Sequence, residues 1–212
     1  MGIIERKERE KEKRRKDILD AAERVFFRQG VEKATMDDVA QEAELSKATL
    51  YLYFSSKEEI YFAIYLRGQD KLFSMIDKAT KAVGNTREKL SRYMSIVVNF
   101  QKKYPNYFEA FFYFLTRGVQ LSDDNIYLKQ HKETGRAFLN NWIRLIQKGQ
   151  DEGFIRANLN AIPVGAILWM QLIGFLKIYP VLLKGLKKQY PVTEENLIND
   201  YFELILSGMV QK

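Results

Sequence analysis

From Ile18 to Met209 apolar side chains return every three or four positions, the spacing of helices buried along one side. Strict alternation is rare and no Asn-Gly or Asp-Gly hairpin turn occurs, so paired strands find no support. The chain is expected to be all-α. Ile18, Leu19, Ala22, Val25 and Phe26 form one face of a first helix that Gly30 can end in a left-handed cap. Thr35 and Asp38 have the spacing of a capping box, with Asp in place of Glu, and open a short second helix. Ser46 can cap a third holding Leu50 and Phe54, and Ser55 or Ser56 a fourth that begins at Lys57. Later stripes predict a fifth helix ending near Tyr104, a sixth over Tyr107 to Leu115, and a seventh from Asn125 to Glu152. Asn160 opens an eighth, and a last covers Glu194 to Met209, about nine in all.

The run from Ala161 to Leu176 has Gln171 as its one polar side chain, which raises the question of a membrane span. It is about 16 residues where a span needs about 20, and Lys177 and Pro180 follow. A core or oligomer helix is expected, with no membrane partner.

Cysteine is absent and His131 is the lone histidine, which removes disulfides, thiolate chemistry and the usual zinc sites. No metal and no cofactor is expected. No paired-carboxylate site or Gly-rich phosphate loop declares itself, so no catalytic residue is assigned. Met1 is followed by charges without an apolar signal core, which predicts a cytoplasmic protein. The net charge of +7 invites a nucleic-acid reading, yet residues 1–68 are balanced and the whole excess falls in residues 69–212. Only the local placement of cations can carry that argument. One cluster stands out between Arg6 and Lys16, where Lys and Arg alternate with Glu8, Glu10 and Glu12. It reads either as a mobile arm along a duplex backbone or as a solvated helix extension.

Ala43, Glu44 and Leu45 separate the second helix from the third, the arrangement of a helix-turn-helix. At about 100° per residue Phe54 falls beside Leu50 and both point to the core, whereas Ala48, Thr49 and Leu52 face away. Tyr51 and Tyr53 flank that outer face, where the phosphate walls of a major groove would stand, and Lys57 adds a cation at a positive helix end. The segment ATMDDVAQEAELSKATLYLYFSSKEE, residues 34–59, closely resembles the DNA-binding signature of TetR-family transcriptional regulators, with Gly30 ahead of it. Strong resemblance covers roughly residues 16–60. It implies an N-terminal three-helix DNA-binding domain, residues 1–60, and a larger helical ligand-binding and dimerisation domain, residues 61–212. It carries DNA contact to Thr35, Ser46, Lys47, Thr49, Tyr51, Tyr53 and Lys57, and the outer face adds Ala48 and Leu52. It further implies a double-stranded operator, a small-molecule inducer and a homodimer formed through the last two helices.

Two positions depart from the family pattern. Glu44 stands where glycine is common, so the turn is strained or altered. Leu52 replaces a long polar or basic residue, which moves base reading toward thymine methyls and DNA shape. In the second domain Tyr93, Phe100, Tyr107, Phe111, Trp142 and Trp169 are candidates to line a ligand cavity. Together with the positive surplus of that region they suggest an apolar ligand with an anionic end. The expected function is a repressor released from its operator by a small apolar or amphipathic ligand. The rivals are a helical adaptor for a protein partner and a small helical enzyme acting on an apolar substrate.

Overall fold

The computed structural model describes residues 2–81 and 83–210. Among them nine helices and no strand follow one another: α1 (Ile3–Gln29), α2 (Met36–Glu42), α3 (Lys47–Tyr51), α4 (Lys57–Thr80), α5 (Thr86–Lys103), α6 (Pro105–Arg117), α7 (Ile126–Asp151), α8 (Ala161–Leu186) and α9 (Glu194–Met209). Their boundaries have local causes. The Thr35 amide donates to Asp38 Oδ2 at 2.8 Å and the Asp38 amide donates back to Thr35 Oγ1 at 3.2 Å, so the capping box works with the shorter acid. Side-chain oxygens of Ser46, Asn85, Asn160 and Thr193 accept first-turn amides of α3, α5, α8 and α9. At the start of α4, Ser56 Oγ accepts from the Glu59 amide at 3.1 Å. Glu59 Oε2 in turn accepts from the amide and the hydroxyl of Ser55, both at 2.7 Å.

The helices form two compact units that interleave along the chain. The first runs to Gln69 and takes in Asn106–Gln130; the second holds Asp70–Pro105 and the chain from His131 onward. In the first, Ile18, Ala22 and Val25 of α1 are fully buried, as are Val39, Leu50 and Phe54. α6 joins this unit because its aromatic face has partners there. Phe114 meets Phe62 edge-on at 5.0 Å and Phe111 meets Tyr65 at the same distance, geometry that such rings prefer. Arg67 holds Asp20 at 2.6 Å and Glu23 at 3.0 Å, and the Tyr107 hydroxyl donates to Glu23 at 3.0 Å.

The second unit is built from the end of α4, α5, most of α7, α8 and α9. Leu90, Val97, Ile146, Leu172, Leu176 and Leu206 are buried in it, and Phe73 stacks on Phe138 at 3.9 Å. α8 is longer than the run of apolar residues that announces it. It continues through Lys177 and Pro180 to Leu186, 26 residues in all. Pro180 deprives the Leu176 carbonyl of its helical donor, and the turns on either side carry the helix across the gap. By length and composition α8 passes as a membrane span. Its two sides differ, however: Leu172, Ile173, Leu176, Tyr179 and Leu183 are buried, whereas Ile167, Met170, Ile178, Val181 and Leu182 are exposed.

Candidate nucleic-acid interface

The turn between α2 and α3 decides where α3 points. Its amides close on the preceding helix, Glu44 N–H to Gln41 O at 3.1 Å and Leu45 N–H to Ala40 O at 2.9 Å. That path takes Glu44 to φ 55°, so the strain expected from a residue in a glycine position is present. A side chain there costs about 1–2 kcal/mol relative to ordinary helical backbone. The rest of the domain bears this because Leu50 and Phe54 anchor α3 from below, both fully buried.

α3 itself is short. Ser46 Oγ accepts the Thr49 amide at 3.0 Å and shares a hydrogen bond with Thr49 Oγ1 at 2.8 Å. The helix ends at Tyr51 with Leu52 as its cap, but the Phe54 amide still reaches Leu50 O at 3.1 Å, so the turn is continued to the buried phenyl ring. Ala48, Tyr51 and Leu52 are exposed, Leu52 to 78%, while Thr49 and Tyr53 are half-buried. A nearly apolar tip with one hydroxyl beside it is what this surface offers to a partner.

The cations and polar groups around it are already engaged. The Thr35 hydroxyl donates to Asp38 at 2.8 Å, and chiefly this bond holds the Asp38 carboxyl below the usual carboxylate range. Lys47 Nζ lies 2.8 Å from Asp37, which raises the lysine above its ordinary value. Lys57 does not stand free beside its helix end. Its ammonium donates to the carbonyl of Ala34 at 3.1 Å and to that of Glu32 at 3.5 Å, strapping the loop ahead of α2 to the start of α4. A phosphate at this point competes with two backbone oxygens.

One constellation has no signal in the sequence. Asn125 Nδ2 donates to Glu59 Oε1 at 2.6 Å, while Asn125 Oδ1 accepts the Tyr127 and Leu128 amides at 2.9 and 3.2 Å. One side chain thus caps α7 and binds the acid that completes the cap of α4.

The six aromatic candidates do not form one set. Tyr93 lies 4.3 Å from Trp142 and 6.5 Å from Trp169, all in the second unit. Phe100 is fully buried in the same unit, its ring 5.3 Å from Tyr104. Tyr107 and Phe111 belong to the first unit, where Glu23 and Tyr65 engage them. Spacing along the sequence placed them with the others because an aromatic stripe does not say which neighbour it packs on.

With this geometry in place, the likeness to known proteins is specific. Residues 18–64 match the family described as bacterial regulatory proteins, tetR family. The uncharacterized HTH-type transcriptional regulator YfiR of Bacillus subtilis is 32% identical over 149 residues, 68% of this chain and 68% of that one. The chain belongs to the TetR family. The HTH-type transcriptional activator FasR of Mycolicibacterium smegmatis is 32% identical over 123 residues, 57% of this chain and 50% of that protein. The ketosteroid transcriptional regulator KstR2 of Mycobacterium tuberculosis has the same fold, with a TM-score of 0.67 at 18% identity, covering 94% of this chain and 96% of that one. As a TetR-family member the chain is a DNA-binding transcriptional regulator and not an enzyme. The adaptor and enzyme readings fall away.

Proposed function

We propose that this regulator is a cytoplasmic homodimer that represses from a pseudo-palindromic operator, and that a small uncharged apolar ligand releases it. Residues 1–60 read DNA with Thr35, Ser46, Lys47, Ala48, Thr49, Tyr51, Leu52, Tyr53 and Lys57, and residues 61–212 bind ligand and dimerise. The ligand reading rests on one observation. Tyr93 Oη and Trp142 Nε1 are buried donors without a partner among the described residues, on rings whose centroids lie 4.3 Å apart, in a wall of Leu90, Met94, Leu168, Leu172 and Leu206. Each unmet donor costs about 1–3 kcal/mol, which a ligand's acceptor oxygen recovers. The cations of this region do not reach the interior: no Lys or Arg is buried among the described residues, and Lys102 is paired with Glu194 at 2.9 Å. This replaces the anionic end with a neutral one.

The cavity beside these donors measures about 10 Å³, room for roughly one water. Ligand therefore enters by displacing Ile205, Leu206 and Met209 of α9, which share that helix with the exposed Leu204. Ligand lowers DNA affinity to the extent that it prefers the displaced arrangement. The test compares a naphthyl methyl ester with the carboxylate and the ammonium of the same body, by thermal shift and operator release. The ester releases DNA, and Tyr93→Phe raises the concentration needed about tenfold. Release by the carboxylate or the ammonium alone, with the ester silent, would end the neutral-ligand reading.

The contact assignment has its own test in selection from a random duplex library. Tyr51→Phe weakens all sequences about equally, whereas Thr49→Ala or Leu52→Arg changes the bases preferred, the new arginine favouring guanine by about 1–3 kcal/mol. Should Tyr51→Phe alter the selected sequence while Leu52→Arg leaves it unchanged, α3 enters the groove in a different rotation.

A further inference from the structure

The charged stretch before Ile18 is a solvated helix extension, the second of its two readings, and its cations are ordered along it. α1 is a single helix from Ile3, and Ile18 is its first buried residue, so roughly 20 Å of helix stands ahead of the core. Its base is fixed to the DNA-reading unit. Arg15 stacks over the Phe54 ring at 5.8 Å and bonds to Tyr127, whose ring lies 6.0 Å from Phe54 and nearly parallel to it. The extension therefore holds a set direction relative to α3.

Its cations fall on two faces of unequal kind. Lys7, Lys11 and Arg14 follow the i, i+4, i+7 spacing of one face, and with Leu52 and Tyr53 they line a groove of about 440 Å³. Arg9, Lys13 and Lys16 have the same spacing on the opposite side. Within the groove Glu10 is neutralised by Arg6 at 2.9 Å, and Lys7, Lys11 and Arg14 form no ion pair among the described residues. Three unpaired cations thus flank Leu52, the exposed apolar tip of α3. A duplex supplies both complements side by side: base methyls on the groove floor, and a wall carrying one phosphate per 3.4 Å of axis on each strand. The three cations span roughly 10 Å of helix, enough to meet two or three phosphates.

We propose that Lys7, Lys11 and Arg14 form a phosphate-binding ridge that extends the operator contact of α3 along the wall of the same groove. This rests on the DNA-binding reading and adds to it a second, sequence-independent contact. Each neutralised phosphate releases counterions and contributes about 0.9 to the slope of log affinity against log salt.

The test measures that slope on the operator selected by the wild-type chain. Lys7→Ala/Lys11→Ala/Arg14→Ala reduces the slope by about two to three and leaves the selected sequence unchanged. Arg9→Ala/Lys13→Ala/Lys16→Ala removes the same charge from the other face and reduces it by less than about one. Alanine favours helix and every substituted position is exposed, so thermal unfolding of both variants matches wild type. Equal loss in the two variants, or an unchanged slope in the first, overturns the ridge while the regulator still binds its operator. A wild-type chain that selects no DNA overturns the underlying reading instead.

Discussion

Met170→Asp together with Val181→Asp leaves the chain monomeric at micromolar concentration and lowers operator affinity by about two orders of magnitude or more. The reason is the side of α8 that its own unit does not cover. Ile167, Met170, Ile178 and Val181 recur there at helical spacing and are all exposed, Met170 to 62% and Val181 to 74%. Gly174 and Gly185 lie on the same side, with nothing within 4 Å of where a side chain would begin, so a second helix can approach closely. On α9 Leu204 is exposed as well, to 73%. An exposed apolar helix face of this kind marks an interface, and in the homodimer proposed above a second copy of the chain would cover it. Burying two carboxylates without partners there is prohibitive, and a monomer holds only one half-site, losing the gain of simultaneous engagement. Sedimentation and operator titration at one fixed salt concentration check both effects. A monomeric variant that binds as tightly as wild type would show that α8 is not the dimer seam.

The second large effect is on folding. Gly165→Ala is expected to destabilise the chain by about 2–3 kcal/mol. At Gly165 a Cβ would fall on the indole of Trp142, against Cδ1 and within 2.6 Å of Nε1. The indole cannot retreat freely, because Tyr93 is packed 4.3 Å behind it. For a chain of this size the loss lowers Tm by roughly 4–12 °C. Gly135→Ala is the matched control: its Cβ meets nothing within 4 Å, and the helix gains up to about 1 kcal/mol. Equal Tm values for the two variants would mean that Trp142 is free to move.

Much of this is readable residue by residue, and what is not depends on packing. Helix starts are legible because their signals are local: Thr35 finds Asp38 and Ser46 finds Thr49 three positions on, whatever surrounds them. Glu44 is legible as a strained or altered turn only through the family resemblance, which puts glycine at that position, and φ 55° is found there. Lys57 is not legible, because the carbonyls of Glu32 and Ala34 are brought to it only by the packed domain. Nor is the allegiance of Tyr107 and Phe111, which depends on Glu23 and Tyr65. The end of α8 is hidden in the same way. Lys177 and Pro180 are sound stop signals for an isolated helix, and tertiary packing of Tyr179 and Leu183 overrides them.

The amide of Asn125 makes the starts of two long rods into a joint. α4 and α7 each begin in the first unit and end in the second, and their first turns meet at the hydrogen bond between Asn125 and Glu59. At 24 and 26 residues they measure about 36 and 39 Å. At that joint a single substitution, Asn125→Ala, would remove the cap of α7 and the partner of Glu59 together, so one side chain answers for the beginnings of two helices.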